Sequence, residues 1–462
     1  MNAILLSAVW GVVMLFTGLM VKSTRTVTTV AIIGMILLVL SSAWDFQGIN
    51  FFEVNVHNML VFENFGLFFN IVAFSSTLLY FLLSGRDVER VGLHVAEYYA
   101  LIFFISCGVA IVSSFNTLLL LFLGIEIISI PLYILTGSDK RNLKSNEASL
   151  KYFLMGAFST GLMLMGIALL YGAKGSFFMD QIQLGTTQLT PMIAAGLLLL
   201  LFSMAFKVSA APFHFWTPDV YDGAPTVFTS YMATIVKAAA FIGFIRLFEG
   251  SFGNMLPQWQ LLVAIITAAT LIIGNITAVF QQSVKRMLAY SSIAQAGFML
   301  FALVSLSNTA KEGLIFYTAA YCLATIGVFA ILLKMKDFTF EGFNGLAKHQ
   351  PILAATNAIF LLSLAGIPAT AGFMAKFYML AAAVNNGQLL WLVIIGVLCA
   401  AISVYYYFRV IQAMYFKDGD PQEIQVTGRF KGLLIFTAAA IIFLGIYPQW
   451  FIDQLNAIFF VI

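Results

Sequence analysis

The chain has 462 residues, of which 61% are hydrophobic and only 9% charged, with a formal net charge of +3. Soluble domains carry roughly 25% charged residues, so this balance excludes a soluble globular protein, and so small a net charge makes no case for nucleic acid. A mean hydropathy of +0.97 fits the class that remains, an all-α polytopic membrane protein.

A bilayer core of about 30 Å needs about 20 apolar residues per helix. On that basis the sequence predicts fourteen spans, at 3–21, 27–44, 65–84, 96–113, 115–136, 148–173, 191–215, 226–249, 258–280, 284–305, 310–334, 351–383, 389–416 and 430–449. The first lacks a basic leader and a small-residue cleavage site, so it reads as a retained helix and not a signal peptide. The fourth and fifth run together and are divided at Ser113-Ser114-Phe115-Asn116. The longest connection, about 45–64, alternates apolar and polar residues and is expected to form a short hairpin or a surface helix. No connection is long enough for an aqueous domain. Cys107, Cys322 and Cys399 lie in apolar stretches without CxxC spacing, which points to neither a disulfide framework nor an iron–sulfur cluster.

The 23 Lys and Arg residues are distributed unevenly. Loops after odd-numbered spans hold 16 of them, those on the other side hold only Lys174 and Lys311, and five lie inside spans. The positive-inside rule then places both termini on the non-cytoplasmic side, which requires an even number of spans.

Four charges stand alone near mid-span: Glu126 in the fifth, Lys207 in the seventh, Lys237 in the eighth and Lys376 in the twelfth. A charge at the centre of an apolar helix costs roughly 2.5–3.5 kcal/mol on insertion scales, so its retention calls for a reason. One reason is a structural ion pair, but Glu126 can neutralise only one lysine and leaves two over. The other is transport, since buried amines exchange protons near neutral pH and a row of them joined by water forms a proton wire. Arg246 and Arg409 lie nearer helix ends and read as structural, because arginine does not deprotonate in proteins.

Two of the lysines accompany a helix break. Pro212 follows Lys207 within about one and a half helical turns and frees backbone groups that a membrane tolerates only beside protein or a wet cavity. His214, two residues on, is either a proton relay or a packed cap. Asp219 and Asp222 in TPDVYDGAPT are expected to shape a turn, with Thr226 capping the next helix. His57, His94 and His349 lie in loops without ligand spacing, so no metal site is expected. The second break, SLAGIPATAG at 363–372 around Pro368, is followed by Lys376. The broken spans are five apart, and interrupted segments in corresponding positions point to inverted repeats. The sequence therefore divides into three N-terminal helices (1–95), a first repeat of spans 4–8 (96–250), a second of spans 9–13 (251–416) and a C-terminal helix and tail (417–462).

FKVSAAPFHFWTPDVYDGAPT, LFLGIEIISIPLYIL, EASLKYFLMGAFSTGLMLMGIALLYG, VKRMLAYSSIAQAGFML and GIPATAGFMAKFY resemble the antiporter-like membrane subunits of proton-translocating NADH:quinone oxidoreductase, respiratory complex I. The resemblance runs from about 96 to 416 and is strongest to the N-subunit family, whose form of the seventh-span break is WTPDVYDGAP. It implies fourteen helices with two inverted five-helix repeats. It implies that Glu126 modulates Lys207, that Lys237 connects the halves and that Lys376 faces the proton exit. It also implies that Lys151 lies close to Glu126. Gln295 departs from the family, many of whose members carry histidine there, so a relay at that point would use water, Tyr290 or Ser291. The chain ends soon after the fourteenth span, without the long lateral helix of the L subunit.

The resemblance further implies that FMN, iron–sulfur clusters and quinone belong to partner subunits of the complex, with no cofactor in this chain, and that the setting is a bacterial inner membrane. A subunit of a multisubunit cation/proton antiporter, a hydrogenase-linked pump and a membrane scaffold held together by the buried charges are the rival readings.

Overall fold

The computed structural model describes residues 1–49, 51–52, 54–183, 189–384, 389–419 and 425–459. Polar residues that flank the apolar runs start the helices. The side chains of Ser23, Thr117, Thr190, Ser283, Ser307 and Thr427 each accept a backbone N–H of the first turn that follows. Such caps stabilise a helix start by about 1 kcal/mol each.

The N-terminal group is α1 (Asn2–Met20), α2 (Thr24–Phe46) and α3 (Asn64–Val88). The next is α4 (Val95–Val112), α5 (Leu118–Thr136), α6 (Leu143–Lys174), the short α7 (Met179–Gln183), α8 (Pro191–Lys207), α9 (Trp216–Gly223), α10 (Thr226–Tyr231) and α11 (Lys237–Phe252). Then follow α12 (Leu256–Val279), α13 (Val284–Ser305), α14 (Asn308–Leu332), the single turn α15 (Leu346–His349), α16 (Pro351–Ala365), α17 (Ala371–Val384) and α18 (Leu390–Phe416). The chain closes with α19 (Gly428–Ile446) and α20 (Gln449–Phe459).

Eleven helical stretches among the described residues are long and apolar enough to cross a membrane, and α8, α16 and α17 are shorter apolar helices. No strand occurs among the described residues, only isolated bridges. The two middle groups pack alike: α4 lies along α5 as α12 lies along α13, and α6 meets α8 and α9 as α14 meets α16 and α17. Helices α13 and α14 are enclosed on nearly every face, whereas Leu150, Phe158, Phe416 and Phe436 turn outward, as a hydrocarbon solvent permits.

Three expectations are corrected. The 45–64 connection is neither hairpin nor surface helix over its described residues. Val61 N–H donates to Ser114 O at 2.8 Å and Asn116 N–H to Met59 O at 2.8 Å, so the segment is pinned to the polar group between α4 and α5. Those groups lie outside any helix ladder and need partners. The break in the seventh span begins before Pro212, because α8 stops at Lys207 and α9 resumes only at Trp216. Thr226 does not cap α10: Pro225 holds that position and no side chain makes the capping bond. Proline at the cap removes one donor that would otherwise lack a partner.

Candidate functional site

The first break leaves carbonyls and amides that other groups satisfy. Trp216 Nε1 donates to Phe206 O at 3.1 Å, and Ala211 N–H donates to Thr270 Oγ1 of α12 at 2.8 Å. The Ala211–Pro212 bond is cis, and Ser209 has a φ of 64°. Lys207 is thereby held in the last turn of α8, where the carbonyl ends of a helix favour a cation. Its Nζ donates to Ser129 Oγ of α5 at 2.9 Å. Glu126, one turn before Ser129, accepts from Thr160 Oγ1 of α6 at 2.7 Å. No ion pair joins Glu126 to Lys207 among the described residues.

Lys151 lies elsewhere. It pairs with Glu147 at 2.8 Å and Asp219 at 2.9 Å and is 42% exposed. It precedes Thr160, the partner of Glu126, by two and a half turns of α6, and its ammonium links α6 to α9. Asp219 also accepts from Arg286 at 3.0 Å. Lys285 is a buried lysine that the sequence reading left in a loop. It donates to Asp222 O and Ala224 O, both at 2.7 Å, and so closes the C-terminal end of α9.

Lys237 begins α11 directly after one turn of π-helix, Met232–Val236. Such a bulge shifts the register of a helix and is frequent at functional sites. The side chain is 2% exposed, and its Nζ donates to Ser292 O of α13 at 2.8 Å and to Ser292 Oγ. The ammonium also lies 5.7 Å from the centre of the Tyr221 ring.

The second break explains why a lysine accompanies it. Helix α16 ends at Ala365, Gly366 has a φ of 83° and Ala369 one of 68°. The break leaves the last carbonyls of α16 without helical partners. Lys376, one turn into α17, reaches back and donates from Nζ to Ala365 O at 2.8 Å. Its ammonium also lies 4.8 Å from the centre of the Phe298 ring. Both break lysines thus occupy the negative end of a half-helix, Lys207 from within α8 and Lys376 from across the gap.

A run of polar side chains on α13 lies between Lys237 and Lys376. Ser291 bonds the Tyr407 hydroxyl of α18. Gln295 donates from Nε2 to Tyr407 OH at 3.2 Å and to Leu364 O at 3.0 Å, and accepts from Tyr317 of α14 at Oε1. Gln295, Tyr317, Tyr321 and Lys376 line one small cavity of about 10 Å³, about the space one water occupies. The Tyr321 hydroxyl is buried with no hydrogen-bond partner among the described residues. Tyr290 is half-buried against the apolar core instead of joining this run.

His214 lies inside the first break, 5% exposed, stacked on Phe215, and its Nδ1 has no hydrogen-bond partner among the described residues. Arg246 pairs with Glu63 at 2.7 Å and donates to Phe115 O, and Arg409 donates to Val279 O and Gln281 O beyond α12. Both hold loops and helix ends. Sequence reasoning missed Ser129, Thr160, Ser292, Tyr317 and Tyr407. Hydroxyls within apolar spans were the available signal, but many of them only bond their own helix, as Thr267 and Thr437 do. No group of three or more His, Cys, Asp or Glu side chains among the described residues is placed to hold a metal ion.

Two interrupted apolar helices, each with a lysine at the interruption, half-buried Lys207 and buried Lys376, define an antiporter-like membrane protein. Residues 115–403 match the family model described as the NADH:quinone oxidoreductase/Mrp antiporter transmembrane region. The chain is 41% identical over 401 residues to the NADH-quinone oxidoreductase subunit N of Trichlorobacter lovleyi, covering 84% of this chain and 82% of that one. It is 39% identical over 459 residues to subunit N of Cytophaga hutchinsonii, covering 97% of this chain and 98% of the relative. A chain of respiratory complex I from Thermus thermophilus, solved with bound aureothin, superimposes with a TM-score of 0.83 at 30% identity over 98% of this chain and 99% of that one. The chain belongs to the NADH-quinone oxidoreductase subunit N family.

Proposed function

We propose that the chain is a proton-translocating membrane subunit of NADH:quinone oxidoreductase, and that protons pass along Glu126, Lys207, Lys237 and Lys376. The relatives named above carry the assignment to the complex. The observation that carries the route is the polar run on α13, which touches Lys237 at Ser292 and shares a cavity with Lys376 through Gln295 and Tyr317. Each ammonium has three N–H donors, and those not spent on protein are available to water. Lys207 holds a proton on Ser129, and an approach of Glu126 to it would favour the charged amine. Withdrawal of Glu126 releases that proton toward Lys237, and the Ser291–Tyr407–Gln295–Tyr317 run hands it to Lys376. His214 serves the entry side of Lys207.

Fourteen crossings follow from splitting Thr226–Val279 at the turn Gly253–Met255 and counting each broken helix once. Residues 1–95 then form an N-terminal unit, 96–250 and 251–416 two inverted repeats, and 417–462 the C-terminal part. The similar packing of the two middle groups supports that division. The Lys/Arg-rich loops face the cytoplasm of a bacterium and both termini lie on the opposite side of the inner membrane. FMN, iron–sulfur clusters and quinone belong to partner subunits, which supply the driving energy, and neighbouring antiporter-like subunits flank this chain.

Substituting Lys376→Ala in the assembled complex is expected to lower proton uptake per NADH oxidised in reconstituted vesicles. Unchanged uptake at normal assembly would overturn the route.

A further inference from the structure

A cavity of about 900 Å³ lies apart from the lysine route, between α2, α3 and α19 on the face rich in Lys and Arg. Helices α2 and α19 each lean on α3. Arg25, Arg86, Arg90, Arg429 and Lys334 line the cavity against a single lining carboxylate among the described residues, Glu89. Lys334 is engaged with the buried Asp87 at 2.5 Å, and Arg90 lies 3.4 Å from the same carboxylate. Arg25, Arg86 and Arg429 form no ion pair among the described residues.

The cavity also receives two helix starts. Thr24 opens α2 and Thr427 caps α19, so two positive helix ends point to the same space as the guanidinium groups. Thr28 and Thr29 add hydroxyls, while Ile32, Phe81 and Leu433 form an apolar wall. On the same two helices Ile33 and Ile36 of α2 and Ile435 and Phe436 of α19 face outward. Charge at one end and lipid-facing apolar surface at the other match an amphiphile better than a free ion or an acidic peptide.

We propose that this cavity binds the phosphate headgroup of an anionic phospholipid, whose acyl chains lie along α2 and α19. Basic pockets between spans on the cytoplasmic side are suited to such headgroups. The site is independent of the proton route.

The test uses the purified complex in detergent with photoactivatable phosphatidylglycerol, and maps crosslinks by peptide mass spectrometry. Crosslinks are expected on peptides of α2, α3 or α19, and Arg86→Gln combined with Arg429→Gln is expected to reduce them about tenfold or more. Unlabelled phosphatidylglycerol is expected to compete, and neither phosphatidylcholine nor millimolar inorganic phosphate. Equal competition by phosphatidylcholine, or displacement by phosphate alone, would overturn the assignment. If the double variant does not assemble, competition on the unsubstituted complex decides between the same outcomes.

Discussion

At the scale of single residues, Lys376 shows how a break can stabilise a buried lysine. An ammonium inside hydrocarbon needs acceptors, and an interrupted helix has carbonyls that need donors. Lys376 on Ala365 O meets both needs at once. The amide of Gln295 bonds Tyr407, Tyr317 and Leu364 O together. A side chain with a donor and an acceptor can keep that bridge, whereas an apolar one leaves buried polar groups unpaired. Gln295→His is therefore expected to retain proton uptake, and Gln295→Leu to reduce it about tenfold or more, measured as initial rate in reconstituted vesicles at matched assembly. Equal rates in the two variants would remove Gln295 from the route. The four mid-span charges were legible in the sequence because each stands alone in an apolar run. Their partners were not, since Ser129 and Ser292 look like any other small polar residue until the fold places an amine against them.

At the scale of elements, the two breaks differ in how they are kept open. The first spans eight non-helical residues, 208–215, and is secured by a tryptophan and a threonine from outside it. The second is short and depends on close approach of α17 to α16. A Cβ on Gly372 would come within 1.8 Å of Ser363 O, a backbone atom that cannot swing away. Gly372→Ala is expected to lower stability by about 1–3 kcal/mol or more through overpacking, read as a lower unfolding temperature of the complex. Gly428→Ala, which meets nothing within 4 Å, is the matched control and is expected to leave it unchanged. A small effect of Gly372→Ala would mean that the half-helices are less tightly joined than the structure has them.

Helix identity and most boundaries could be read from apolar runs of membrane length with polar residues at their ends. Where α8 stops could not, because Val208, Ser209, Ala210 and Ala211 are as compatible with helix as the residues before them. Nor could the π turn before Lys237, which arises from packing and has no residue signature in MATIV. The pairing of Lys151 with Asp219 and Glu147 was likewise not legible, since Asp219 is distant in sequence.

At the scale of the whole molecule, two similarly packed groups each hold one broken helix, and α13 lies between the lysines of both. The N-terminal helices flank this arrangement, with α1 packed on α4 and α3 on α14, and the Asp87–Lys334 pair joins α3 to the end of α14. On the proposed route protons cross the middle groups, apart from α2 and α19.

The most direct test is the number of protons taken up per NADH oxidised by the complex carrying Lys207→Ala, in vesicles, at normal subunit content. A continuous route through this chain is expected to give a lower ratio than the unsubstituted complex. An unchanged ratio, with NADH oxidation at the normal rate, would contradict it and return Lys207 to a structural role.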